Sequence, residues 1–199
     1  LTKVLGLDIS TKTGFAVIED GKLLSYGLLK TSNTQSQRLQ DLEMYFRAHK
    51  ANSAIFEKIE EESPDYIFAE QTNAGKFRSS QKQLEFIHCL FLQALAIHSR
   101  TNKLYYVDTS RWRSDLSIKL TKDQRKHNKS VKDGVARGKV TPKHLAVLWA
   151  NNMFNLKLLK KDHDIADAIA LAYFGYTKSL ESQKKSLDLD QILLELKQS

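Results

Sequence analysis

The sequence predicts an α/β domain: a mixed five-stranded sheet, three antiparallel strands followed by parallel ones, flanked by helices. Three observations carry this. Residues 4–9 (VLGLDI) are a short apolar run ending at a turn, the pattern of a buried strand. Asp20-Gly21 between two further apolar runs is a two-residue hairpin signal, so the opening strands are antiparallel. Two later apolar runs, 65–70 and 103–107, are separated by a stretch long enough for a crossover helix.

Taken in order, residues 15–18 and 22–29 are the second and third strands. Leu39, Leu42, Tyr45, Phe46, Ile55, Phe56 and Ile59 mark an amphipathic helix over about 36–61, with a break at Ala51-Asn52-Ser53 left open. Pro64 ends it, and the fourth strand closes on Glu70. A polar loop with Gly75 leads into a long helix over about 80–99, apolar on much of its circumference. After the fifth strand, Asp108 or Thr109 caps a short helix through Trp112 to 116. Thr141-Pro142 is an N-cap and first-turn pair opening a helix through Leu145, Leu148, Trp149 and Phe154. The last apolar run opens at Asp162-His163-Asp164-Ile165-Ala166-Asp167-Ala168 and continues as a packed helix. Residues 1–177 make one domain with a basic insertion at about 119–140, and 178–199 a polar linker with a short apolar tail.

Hydrophobic content of 41% and charge of 27% are ordinary for a globular protein. The best membrane-span candidate, 86–97, carries His88 and Gln93 and is too short. The lone Cys89 excludes an internal disulfide and a cysteine-based zinc site. No secretory signal opens the chain, whose first residue, Leu1, does not look native. The expected compartment is the cytoplasm, that of the host if the protein is phage-encoded.

The net charge of +8 is concentrated. Residues 119–143 hold nine basic side chains against Asp123 and Asp133, a local excess of +7. Such a stretch is either a solvated loop or the seat of a polyanion, and its low apolar content predicts mobility until the partner orders it. Lys119, Lys122, Arg125, Lys126, Lys129 and Lys139 are the expected DNA contacts within it.

Acids sit where a solvated role is a poor explanation. Asp8 lies inside an apolar strand, which is costly unless the carboxylate is paired or metal-bound. Glu70 ends the fourth strand, and ligand sites of open α/β sheets collect at the carboxyl ends of parallel strands. Strands one and four are expected to be parallel neighbours. Asp164 and Asp167 share one face of the last helix at i, i+3. Four converging carboxylates suit a hard cation, Mg2+ with Mn2+ as a substitute. Two such ions about 3.5–4 Å apart would serve phosphodiester cleavage. The reading is a metal-dependent nuclease.

Gly6-Leu7-Asp8-Ile9-Ser10, residues 64–71 (PDYIFAEQ) and residues 164–170 (DIADAIA) resemble, in order and spacing, the RuvC family of Holliday junction resolvases. The resemblance covers about residues 3–177. It implies an RNase H-like fold, a homodimer, and two-metal hydrolysis at four-way DNA junctions, with two ions per active site. Asp8, Glu70, Asp164 and Asp167 would be the metal ligands. The family's basic active-site residues fall nearest Arg113 and Lys143, and Lys143 would act on the scissile phosphate. Arg113 stands where a lysine is usual. Asn73 occupies the place of the family's aromatic wedge, and Phe77 is the later aromatic assigned to DNA, together with Arg111 and Arg113. The longer basic segment marks a phage or otherwise divergent member.

His163 reads as a cap-region or DNA-facing residue, and His88 and His98 as core or interface. Trp112 and Trp149 read as core, with base stacking by Trp112 as the alternative. Three other functions stand beside the junction nuclease. A less selective branched or flap DNA nuclease, or a YqgF-type RNA-processing nuclease, would use the same acids. A DNA-binding protein without catalysis would use them structurally. Residues 6–14 also resemble the first phosphate loop of actin-like sugar kinases, a fold that needs two such domains.

Overall fold

A computed structural model describes residues 1–29, 40–72, 78–133 and 137–198. The strands are β1 (Lys3–Asp8), β2 (Gly14–Glu19), β3 (Lys22–Leu28), β4 (Tyr66–Glu70) and β5 (Leu104–Val107). The α-helices are α1 (Gln40–Glu62), α2 (Arg78–Ile97), α3 (Thr109–Asp115), α4 (Lys122–Lys132), α5 (Pro142–Phe154) and α6 (His163–Gln198). The strands form one sheet in the order β3-β2-β1-β4-β5. Asp20 and Gly21 both take positive φ, +48° and +80°, and turn β2 antiparallel into β3. β1 pairs antiparallel with β2 and parallel with β4, from Val4 opposite Tyr66 to Leu7 opposite Ala69. β4 and β5 are also parallel. The mixed sheet expected from the sequence is therefore present, including the β1–β4 neighbourhood.

Strand alternation sends the two faces of the sheet into two cores. Leu5, Leu7, Ile67 and Ala69 pack with Ile55, Ile59, Ile87, Phe91 and Leu95, in the layer of α1 and α2. Val4, Ala16, Ile18 and Phe68 pack with Ala168, Leu171 and Ala172, in the layer of α5 and α6. Asp8 follows Val4 and Gly6 by steps of two, and Glu70 follows Phe68, so both acids belong to the α6 face. At Gly6 an added methyl would overlap the carbonyl of Ala168 and the backbone nitrogen of Ala172. At Gly14 it would overlap the carbonyl of Asp164. Those two missing side chains, with the small residues of α6, let the helix lie directly on β1 and β2.

Two elements differ from the sequence expectation, and the open point of a break in α1 is answered. α1 is unbroken through 51–53, where Ala51 and Asn52 are buried and Ser53 Oγ donates to the His49 carbonyl at 3.1 Å. The stretch 178–198, expected as a linker, continues α6. The basic insertion is not a loop: α4 forms without a single buried residue. Its helix is instead held by polar devices. Thr121 and Gln124 make a reciprocal capping box, and Asn128 bonds both the N–H and the carbonyl of Val140 at 2.9 and 2.7 Å. Among the described residues no helix is long and apolar enough to cross a membrane.

Candidate active site

β1, β4 and α6 bring Asp8, Glu70, Asp164 and Asp167 within electrostatic reach of one another. Burial raises the Asp8 carboxyl well above the usual carboxylate range, and Asp167, Glu70 and Asp164 raise it further, with Lys143 opposing. Asp167 is 2% exposed. Burial is also the main cause of its rise to about 7, against Arg113, with Glu70 and Asp164 adding to it. An open cleft lies over this cluster, lined among others by Asp8, Ser10, Glu70, Lys143, His163 and Asp164.

Each acid except Asp8 has a defined partner. Glu70 accepts on both oxygens, from Thr109 Oγ1 at 2.7 Å and from Trp112 Nε1 at 3.2 Å. Asp167 Oδ2 accepts from Arg113 Nη2 at 3.2 Å. Asp164 Oδ1 lies 3.2 Å from Lys143 Nζ and 2.6 Å from His163 Nδ1, and the lysine also lies 3.2 Å from that ring nitrogen. His163 thus joins the site, although it turns off the Asp164–Asp167 face. Among the described residues no three His, Cys, Asp or Glu side chains close on one point as a ready-made metal centre. The carboxylates of Glu70, Asp164 and Asp167 are each turned toward their own donor or cation.

The donor set nonetheless fits a divalent cation. Asp167 Oδ1 is buried with no hydrogen-bond partner, which is costly for a charged oxygen. Asp8 is raised by three like charges as well as by burial. All four candidate ligands are carboxylates, the donors that Mg2+ and Mn2+ prefer.

The expected DNA contacts divide. Lys119, Lys122, Arg125, Lys126, Lys129 and Lys139 are exposed. On α4, residues 122, 125, 126 and 129 fall at i, i+3, i+4 and i+7, a single basic ridge. Arg113 lies in the acid site, where the resemblance placed a basic residue. Its side chain is largely covered, pairs with Asp167 and stacks at 4.7 Å over the Trp112 ring, so it belongs to the acid cluster rather than to a free DNA-facing surface. Base stacking by Trp112 is likewise ruled out, since the ring is 0% exposed. Arg111 lies on the other side of α3, in a groove with Tyr66, Phe68, Tyr105 and Lys178. Phe77 and Asn73 lie outside the described residues. His88 is 8% exposed and bonds Tyr106 Oη at 2.8 Å; burial depresses the imidazole to about 4 and raises the phenol to about 12.

No protein-family model and no curated protein sequence matches this chain. Solved structures do. Thermus thermophilus RuvC aligns with a TM-score of 0.61 and 16% identity, over 91% of this chain and 97% of its own. The chain has the RuvC fold. The same protein solved in complex with Holliday junction substrate gives 0.59 at 15% identity, over 87% and 92% of the two chains. The yeast mitochondrial Holliday junction resolvase Ydc2 gives 0.51 at 16%, over 94% and 84%. The strand order β3-β2-β1-β4-β5 agrees with the RNase H-like fold that the resemblance implied.

The role of Thr109 and Trp112 toward Glu70 was not read from the sequence. The signal was available in their spacing: 109, 112 and 113 are i, i+3 and i+4 of one helix and must share a face.

Proposed function

We propose that this protein is a structure-selective endonuclease that resolves four-way DNA junctions by metal-dependent phosphodiester hydrolysis. The observation that carries the reading is the convergence of Asp8, Glu70, Asp164 and Asp167 at the carboxyl ends of β1 and β4, on a RuvC fold. Asp8, Glu70, Asp164 and Asp167 would hold Mg2+ or Mn2+, two ions per site. Bound there, the cations supply charge stabilisation to the attacking and leaving oxygens.

The chain's own residues do the rest. Lys143, half-exposed at the start of α5 and next to Asp164, is placed to meet the scissile phosphate as a point charge. The α4 ridge holds the phosphate backbone of an arm without reading its sequence. Its order before DNA arrives reduces the folding cost that a mobile loop would carry into binding.

A junction has two symmetric strands to cut, so the proposal includes a homodimer. α2 exposes Cys89, Leu92 (41%) and Ile97 (71%), and α1 exposes Leu42, Tyr45 and Phe46, an apolar surface suited to a second copy. Light scattering is expected to give twice the chain mass at micromolar concentration; a monomer mass with and without DNA would remove the dimer.

The functional test is cleavage of a synthetic four-way junction, a flap and a linear duplex, with and without Mg2+. Paired nicks in the junction alone, only with metal, are expected. Cleavage of flap and junction alike would indicate the broader branched-DNA nuclease, and preference for RNA the processing enzyme. Binding with no cleavage in either Mg2+ or Mn2+ would leave a non-catalytic DNA-binding protein.

A further inference from the structure

We infer that α3 is the element that positions the acid cluster: Thr109 and Trp112 orient the Glu70 carboxylate while Arg113 orients that of Asp167. This rests on the reading of the four acids as a cation site, and adds what sets the spacing of two of them. Glu70 comes from β4 and Asp167 from α6, elements that pack against each other through Phe68 and Phe174. α3 touches both.

The geometry favours a clamp over incidental contact. Each Glu70 oxygen accepts one hydrogen bond, 2.7 Å from Thr109 Oγ1 and 3.2 Å from Trp112 Nε1, which fixes the plane of the carboxylate. A carboxylate oxygen has two lone-pair directions, so one on each remains for a cation. Such outer partners orient metal ligands and tune their affinity. Trp112 is 0% exposed, so its indole N–H must find a partner within the protein, and Glu70 is that partner.

Arg113 lies 4.7 Å over the Trp112 ring and reaches Asp167 with Nη2 at 3.2 Å. Movement of the indole therefore disturbs both acids. The helix itself is fixed at its start. Asp108 accepts from Ser110 N at 2.7 Å, and the Val107 carbonyl takes the N–H of Gln71, the residue after Glu70, at 2.9 Å. Thr109 and Trp112 are positioning residues in this account, since they act through Glu70.

The test uses the full chain without DNA. Thr109→Val keeps the shape and removes the hydroxyl; Trp112→Phe keeps an aromatic ring and removes the N–H. Each is expected to weaken Mg2+ binding, measured by titration calorimetry, about tenfold. Thr109→Ser is expected to return the affinity to within about twofold of the native value, which a purely structural loss would not predict. In a Trp149→Phe background Trp112 is the sole tryptophan. Its emission is expected to shift on Mg2+ addition, and to stop responding when Glu70→Gln is added.

Native Mg2+ affinity in both Thr109→Val and Trp112→Phe, even with a lowered melting temperature, would overturn the clamp and leave the cation site standing. If the native chain shows no Glu70-dependent Mg2+ binding, the cation-site reading fails and the clamp fails with it.

Discussion

The acid cluster and the α4 ridge are both groups of like charge, and they are held in opposite ways. The acids are packed: Asp167 is 2% exposed, and α6 reaches β1 through the bare backbone of Gly6. The bases of α4 stand on a helix with no buried residue, held by a capping box and by Asn128. Burial makes repulsion expensive, because the charges lose water that would screen them. Exposure makes it cheap, a few tenths of a kcal/mol per neighbouring pair. The first cluster therefore stores a large local cost that a bound cation would relieve. The second carries little cost, and in the proposed role it would show itself through salt dependence.

Breaking the acid side is expected to have the largest effect. Asp8→Asn, Glu70→Gln, Asp164→Asn and Asp167→Asn should each reduce single-turnover junction cleavage by at least about a hundredfold, given the magnitude of metal-assisted charge stabilisation. Junction affinity should stay near native if, as proposed, α4 holds the DNA. A variant that cuts at a near-native rate loses its place in the site.

The same cluster predicts a pH dependence. The Asp167 carboxyl, ordinarily at 3.8, stands at about 7 because burial outweighs its pair with Arg113. Between those values the folded chain keeps a proton that the unfolded chain has released. The stabilisation is complete below about pH 4 and is lost as pH rises through about 7. Asp167→Asn should therefore exceed the native chain in stability at pH 8 in a chelator, by on the order of 2 kcal/mol once the lost Arg113 pair is counted. Denaturant melts at pH 5 and pH 8 decide it; parallel behaviour of the two proteins would contradict the assignment.

On the basic side the effect is smaller and of another kind. Changing Lys122, Arg125, Lys126 and Lys129 together to Gln keeps helix propensity and removes the ridge. The slope of log affinity against log salt should flatten by about two to four, at about 0.9 per phosphate contact. An unchanged slope would make the ridge a solvated face only. Smallest of all, Thr121→Ala removes the capping box and should cost about 1 kcal/mol of local helix stability. Hydrogen exchange should speed up in α4 alone, with cleavage of junction DNA unchanged.

The parts legible in the sequence were those with strong local contrast. A single acid among Val4, Leu5, Leu7 and Ile9, a Thr-Pro helix start, and Asp20-Gly21 between apolar runs each carry their meaning in adjacent residues. The α4 helix was not legible, because hydrophobic periodicity is the main helix signal and this helix has no core face. Its capping box, Thr121 with Gln124, was the local sign. The continuation of α6 through residues 178–198 was missed because its polar composition reads as linker. The hold of Thr109 and Trp112 on Glu70 spans 39 and 42 residues, and a tryptophan in sequence reads as core whatever its indole nitrogen meets. Arg113 was read both as a DNA contact and as nearest a basic active-site residue, because a charge in sequence shows its sign and not its partner.

The central claim is that the buried acids form a cation site, and thermal melting with and without Mg2+ at pH 8 tests it most directly. A ligand that binds only the folded state stabilises it in proportion to log concentration above its dissociation constant. The native chain is expected to melt several degrees higher in millimolar Mg2+ than in a chelator, and Asp8→Asn to gain little. A native melting temperature indifferent to Mg2+ and Mn2+, or an equal gain in Asp8→Asn, would contradict the account.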